Sequence, residues 1–185
     1  LILDTKTYPH LGNLLWAPEM HIIGGRLYIF HAGTPESFFC EQNHVMVLKE
    51  NGKYFMYHNH ATEFKKLDGK LVIERIAEDF SADELGFILD TFWIQAGGAN
   101  PAEYIRRYAG RIPVIHLKDY QFATGEVKNS ICAIGDGNIN FAAVAAAAAD
   151  SGVDYMLVEQ DDCHGEDPFS AMKRSYDYLK AMGLE

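Results

Sequence analysis

The sequence predicts an α/β protein whose larger part is built from parallel strand–helix units, preceded by a short β-rich segment. Two observations carry this. From residue 53 to residue 185, short apolar runs alternate with stretches of helical period across short polar connections. That is the form βα units take in a doubly wound sheet or a (β/α) barrel. Before residue 53 there is no helical period, and short apolar runs are separated by Gly and Asn turn signals. The alternating part falls short of the roughly 200–250 residues of a complete barrel, so it supplies about half of one.

Taken in order, Met20 to Phe30 is two apolar runs around Gly24-Gly25, a hairpin signal. His44 to Leu48 is a further run, closed by the turn Glu50-Asn51-Gly52. Tyr54 to His58 is a short strand ending in a polar cluster, and Lys66 to Lys70 a turn. Val72 to Phe80 carries apolar residues at helical spacing. Leu85 to Leu89 is a strand, and Asn100-Pro101 starts a helix with Gly110 past its end. Ile112 to Leu117 is a strand, and Tyr120 to Asn129 a polar loop. Asn140 to Ser151 is an Ala-rich helix stopped by Gly152. Val153 to Val158 is the last strand, and Asp167-Pro168 opens a helix to about Met182.

The formal charge of −10 argues against a nucleic-acid partner, which would require a basic face. No apolar run is long enough to span a bilayer, and no basic-plus-apolar leader opens the chain. Cys40, Cys132 and Cys163 are far apart, with no CxxC spacing, which points to a reducing, cytoplasmic compartment. The chain begins at Leu1 and reads as a fragment or a processed product.

Chemistry in parallel α/β folds gathers at the carboxyl ends of strands. Four such ends line up: Tyr57-His58-Asn59-His60, Asp90, His116 and Glu159. Imidazole and carboxylate donors converging from separate rigid elements suit a divalent cation, here Mn, Zn, Co or Mg. Each residue also has a plain role open to it. Asp90 before Thr91 can cap the following turn, and His116 can be a core histidine. Glu159 can belong to a solvated acidic loop with Gln160, Asp161 and Asp162. Trp93 can floor a sugar site or fill the core. Ile134 to Asn138, Gly-rich and before a helix, can be a phosphate cradle or a tight turn.

The wording of these stretches resembles a known family. Tyr57 with HNHATEF, LDTFWIQAGGANP from Leu89, GRIPVIHLKD from Gly110, IGDGNINF from Ile134 and VEQDDC from Val158 resemble the sugar phosphate isomerase/epimerase family. That family belongs with the xylose-isomerase-like TIM barrels. The resemblance spans about residues 53–185 and corresponds to the second half of such a barrel. It implies a divalent metal that promotes proton transfer next to a carbonyl of a small-molecule sugar. By resemblance, Asp90, His116 and Glu159 are metal ligands, and His58 stands where many epimerases place a Glu. Glu159 or His60 would move the proton, and a His/Glu pair suits a dehydratase. Trp93 replaces a His of many relatives, and Lys118 and Asp119 would bind substrate oxygens.

Residues 12–33, GNLLWAPEMHIIGGRLYIFHAG, resemble a blade of the propeller in family 43 glycoside hydrolases, over about residues 3–50. The chain therefore reads as two joined segments, 1–52 and 53–185. The functions this leaves are a metal-dependent sugar isomerase, epimerase or dehydratase, a family 43-type hydrolase fragment, and an inactive chimera. A half barrel leaves strand edges open, to be covered by the N-terminal hairpin or by a second copy in a homo-oligomer.

Overall fold

A computed structural model describes residues 14–23, 26–34, 42–45, 55–122 and 131–184, the first three stretches by their backbone. The chain divides into two compact units, Leu1–Lys53 and Tyr54–Glu185. Cys40, the Gly24-Gly25 turn, the Glu50-Asn51-Gly52 turn and residues 123–130 of the expected polar loop lie outside the described residues.

In the first unit, β1 (Leu14–Ile23), β2 (Arg26–Thr34) and β3 (Gln42–Val45) form an antiparallel sheet in that order. Ile23 pairs with Arg26, so two residues separate the strands, as the hairpin signal requires. The register shifts between Trp16 and Glu19. Pro18 falls in that interval and has no N–H for the ladder, which confines it to an edge or a bulge.

The second unit begins with β4 (Phe55–His58) and a single 3-10 turn, Ala61–Phe64. A tight hairpin follows, β5 (Lys66–Leu67) and β6 (Lys70–Leu71). Its connecting Asp68 and Gly69 both have positive φ, 50° and 85°, as a type I′ turn requires. Then come α1 (Val72–Asp79), β7 (Leu85–Asp90), α2 (Thr91–Ala96), α3 (Pro101–Arg107) and β8 (Val114–Leu117). The short β9 (Asp119–Tyr120) pairs antiparallel with β10 (Ile131–Cys132). The chain finishes through α4 (Phe141–Ser151), β11 (Tyr155–Val158) and α5 (Pro168–Ala181).

Local chemistry sets these boundaries. Asn100 Oδ1 accepts from the amides of Ala102 and Glu103, Asn140 Oδ1 from Ala143, and Asp167 from Ser170. Such caps satisfy amides left over at a helix start. α4 stops at Gly152, whose φ of 71° is left-handed. β8 starts later than the apolar run suggests because Pro113 donates nothing to a ladder. β11 likewise starts at Tyr155, since the Val153 amide turns back to the Ala148 carbonyl at 3.1 Å.

β4, β7, β8 and β11 form one parallel sheet, and their order across it is their order in the chain. A doubly wound sheet reverses its strand order at a switch point. Uninterrupted succession is the winding of a barrel, so the structure decides between the two readings the sequence left open. Residues alternate between faces. Phe87, Leu89, Ile115 and Leu117 point to the helices and are buried with Ile94, Ile105, Val144 and Leu179. Each such side chain contributes about 1.5–3 kcal/mol by leaving water. The other face presents Ile88, Val114 and, at its rim, Asp90 and His116. The register of β11 sets Tyr155 beside Val114 and Leu157 beside His116, and these two are 66% and 51% exposed.

At the opposite end of the strands, Arg111 ties α1 to β7. Its guanidinium donates to the carbonyls of Ala77 (3.0 Å), Phe80 (3.2 Å) and Leu85 (2.8 Å) and stacks over Phe87, 5.1 Å from the ring centre. Arg111→Met is expected to cost about 2 kcal/mol in urea unfolding by orphaning these carbonyls. Divalent-metal binding should not change, because the residue sits at the far end of the sheet.

Candidate metal centre

Four side chains meet where the parallel strands end. His58 closes β4, Asp90 closes β7, His116 lies in β8, and Glu159 follows β11. One donor atom from each lies within 4.8 Å of all the others. His58 Nε2 is 3.4 Å from Asp90 Oδ2, and His116 Nδ1 is 2.9 Å from Glu159 Oε2. Donors about 2.0–2.2 Å from a common ion stand roughly 3–3.5 Å apart, which is the spacing of these nearest pairs.

Asp90 serves two purposes with two oxygens. Oδ1 accepts from the Trp93 amide at 3.0 Å and caps α2. Oδ2 faces the cluster. The cap weighed for Asp90 in the sequence is formed by one oxygen, and it leaves the other oxygen in the cluster. Its placement is fixed from behind by Asn59, wholly buried, whose Oδ1 accepts from the Asp90 amide at 3.0 Å. Thr91 locks β7 to β8. Its hydroxyl accepts from the Lys118 amide (2.9 Å) and donates to the Lys118 carbonyl (2.8 Å). Sequence reasoning gave no role to Asn59 or Thr91. The one signal was the position of each beside a candidate ligand at a strand end.

Asp90 Oδ2 and His58 Nε2 are buried, and among the described residues neither has an aligned hydrogen-bond partner. Buried polar atoms normally have partners. Two lone-pair donors left facing each other fit a bound cation, and the donor set of two imidazoles and two carboxylates fits a divalent one.

Lys118 is the residue whose expected role changes most. Its side chain is 2% exposed, and Nζ lies 3.2 Å from Asp90 Oδ2, 2.9 Å from Glu159 Oε2 and 2.8 Å from Asp161 Oδ2. An ammonium buried among three carboxylates is held by the protein and is not presented to a substrate oxygen, which corrects the expected substrate contact. Burial alone would lower its pKa, but Asp90, then Asp161 and Glu159, outweigh burial and raise it. Glu159 moves the other way. The hydrogen bond with His116, opposed by burial and helped by Lys118, holds its carboxyl well below the usual carboxylate range.

Asp119 is also corrected. It is 1% exposed, and its carboxylate accepts from the amides of Tyr120 (2.7 Å), Gly135 (2.9 Å), Gly137 (3.0 Å) and Ile139 (3.2 Å). It organises the Gly-rich loop and has no face left for a sugar. A Cβ at Gly137 would collide with Asp119 and with the Tyr120 carbonyl, which explains that glycine. Asp119→Asn is expected to destabilise the chain by about 2–3 kcal/mol, since an amide cannot accept the same four bonds. Thermal unfolding checks the loss, and faster amide exchange at Gly135 and Gly137 locates it.

His60 and Trp93 wall the cluster on one side. The His60 ring is 5.0 Å from both the His58 and the Trp93 rings, and Lys118 Nζ is 5.7 Å from the centre of Trp93. Glu63, close to this strand end in sequence, takes a structural part, accepting from the Tyr57 hydroxyl and the His60 amide, each at 2.7 Å. Cys132 and Cys163 are free thiols. Burial first, then Asp119 and Asp136, push the Cys132 thiol up to about 12, so it is unreactive. Among the described residues no helix is long and apolar enough to cross a membrane.

The chain is similar to known proteins over most of this region. It is 28% identical over 149 residues to an inosose dehydratase of Lacticaseibacillus casei, covering 72% of this chain and 49% of that one. It is 28% identical over 150 residues to an inosose dehydratase of Geobacillus kaustophilus, covering 72% and 46%. Two crystal structures of sugar phosphate isomerase/epimerases from Parabacteroides distasonis superpose with TM-scores of 0.58 and 0.59 at 25% and 28% identity. They cover 68% of this chain and 45% and 44% of theirs. The chain thus spans about half the length of the relatives it matches. The blade resemblance of residues 3–50 draws no support from these comparisons. A family model described as xylose isomerase-like TIM barrel matches residues 20–182, and the chain belongs to that family.

Proposed function

We propose that this chain carries the metal-bearing half of a site that isomerises, epimerises or dehydrates a sugar or sugar derivative by moving a proton next to a carbonyl. The observation that carries this reading is the convergence of His58, Asp90, His116 and Glu159 at adjacent strand ends, with the buried Asp90 Oδ2 and His58 Nε2 facing each other 3.4 Å apart. These four would hold the cation, one of Mn, Zn, Co or Mg. A bound cation supplies Lewis-acid polarisation of the substrate carbonyl and offsets the charge of an enediolate.

The chain's own residues do the rest. Glu159, gripped by His116 and Lys118, stays ionised and serves as a ligand. The same grip makes it a weak proton acceptor, since a base works best with a pKa near the working pH. His60, beside His58 and Trp93, is the favoured proton carrier, with Glu159 the other candidate. The Trp93 ring is an apolar wall against which a sugar ring can lie. Removing a hydroxyl beside an enolised ketone needs one group to take a proton and another to give one. An imidazole near a carboxylate suits this, and the inosose dehydratases among the relatives favour dehydration of a cyclic keto-polyol within the proposed class.

Chain purified without chelator is expected to hold about one divalent cation by elemental analysis. His116→Ala should lose it together with any turnover of keto-sugars or inososes. A chain without bound cation, whose turnover survives both Asp90→Asn and His116→Ala, would overturn the reading.

A further inference from the structure

We propose that Asp161, which is none of the four candidate ligands, is a positioning residue of the metal centre. It keeps the Lys118 ammonium when a divalent cation takes the oxygens of Asp90 and Glu159. The inference rests on the metal reading given above and deepens it, by saying what fits the centre to an ion of charge two. A buried ammonium within reach of two ligand oxygens competes with any cation for them. Lys118 Nζ lies 3.2 Å from Asp90 Oδ2 and 2.9 Å from Glu159 Oε2. The same two oxygens stand against His58 Nε2 and His116 Nδ1 in the four-residue cluster. Nor is Lys118 free to withdraw. Its side chain is buried, and the Thr91 hydroxyl holds both its amide and its carbonyl. With Asp90 and Glu159 as its whole supply of anions, cation loading would leave the ammonium buried and uncompensated, which is strongly unfavourable.

Asp161 removes that conflict. Its Oδ2 is 2.8 Å from Nζ, the shortest of the three contacts, and the residue stands outside the four-residue cluster. It reaches Nζ from the loop after β11, just beyond Glu159. Among the described residues, three carboxylates thus face one ammonium in this centre. The imbalance is two negative charges, and one divalent ion cancels it, since ligating imidazoles bind as neutral groups. With Asp90 and Glu159 alone, the imbalance would be one charge and a divalent ion would overshoot it. The Asp161 side chain is 45% exposed, so it tolerates substitution, and water screens part of its effect.

The test is calorimetric titration with Mn²⁺ of the full chain after EDTA treatment and dialysis, beside Asp161→Asn, Asp161→Glu, Lys118→Met and the double variant Lys118→Met with Asp161→Asn. Circular dichroism verifies that each is folded. Changes to groups behind metal ligands cost about 10–100-fold in affinity. Screening of a half-exposed carboxylate sets the expected loss for Asp161→Asn at the low end, about tenfold. Asp161→Glu keeps the charge and should bind within about threefold of the parent chain. Lys118→Met should bind more tightly than the parent, because the competing ammonium is gone. The double variant should return to within about threefold of the parent, since two carboxylates then face the ion alone. Opposite effects that cancel in the double variant do not arise from a general loosening of the fold. Asp161→Asn binding as tightly as a parent chain that takes up cation would overturn the proposal and leave the metal reading standing. So would a double variant as weak as Asp161→Asn, which would make Asp161 a ligand. A parent chain that takes up no cation would overturn the metal reading itself, and this inference with it.

Discussion

Asp90→Asn is expected to lower divalent-cation affinity by more than about 100-fold while leaving the fold almost unchanged. Asn caps a helix start as well as Asp does, so the bond from the Trp93 amide survives. What is lost is the anionic oxygen that faces both His58 and the Lys118 ammonium, the latter keeping Glu159 and Asp161 as partners. Second-shell substitutions at metal sites already cost about 10–100-fold in affinity, and an anionic ligand should cost more. Asp90→Ala separates the two duties, because it removes the cap as well and adds about 1 kcal/mol of destabilisation. Isothermal titration with Mn²⁺ or Zn²⁺ reads the first effect, and urea unfolding in EDTA reads the second. If Asp90→Asn binds cation like the parent chain, Asp90 is a cap and not a ligand.

Lys118→Met should destabilise the chain without cation by about 2–3 kcal/mol. The buried ammonium balances Asp90, Glu159 and Asp161, and removing one partner of a buried ion cluster leaves the others uncompensated, typically at about 3–5 kcal/mol. The lower figure applies because Glu159 and Asp161 are partly open to solvent, which screens them. Loading with a divalent cation should recover most of the loss, since a cation among the same carboxylates replaces the missing charge and binds only the folded state. Urea unfolding in EDTA and in excess Mn²⁺ makes the comparison. An equal deficit in both would show that Lys118 and the cation do not share these carboxylates.

How much was legible in the sequence follows from where each feature's determinants lie. The βα alternation and the caps at Asn100, Asn140 and Asp167 were readable because period and capping are local. The ends of β4, β7, β8 and β11 were readable for the same reason, and with them the residues that meet in the cluster. Asp119 misled because it adjoins HLK, and only its pairing in β9 turns the carboxylate towards the loop that begins at Ile134. Lys118 misled because charge neutralisation by Asp161 depends on residues forty-odd positions apart. Asn59 and Thr91 follow no period, and their bonds cross between strands. The choice between a barrel and a doubly wound sheet depended on strand order, a property of the assembled sheet and of no one segment.

The loop from Gly135 to Ile139 has the makings of an anion receptor, with three amides turned towards one point. Its guest is tethered. Asp119 fills the receptor from within the same chain, at an effective concentration that millimolar phosphate in solution does not match. A Gly-rich turn before a helix therefore says that an anion is held there, without saying whose. Here the anion belongs to the protein, and the loop spends its donors on keeping the end of β8 and the start of α4 in step.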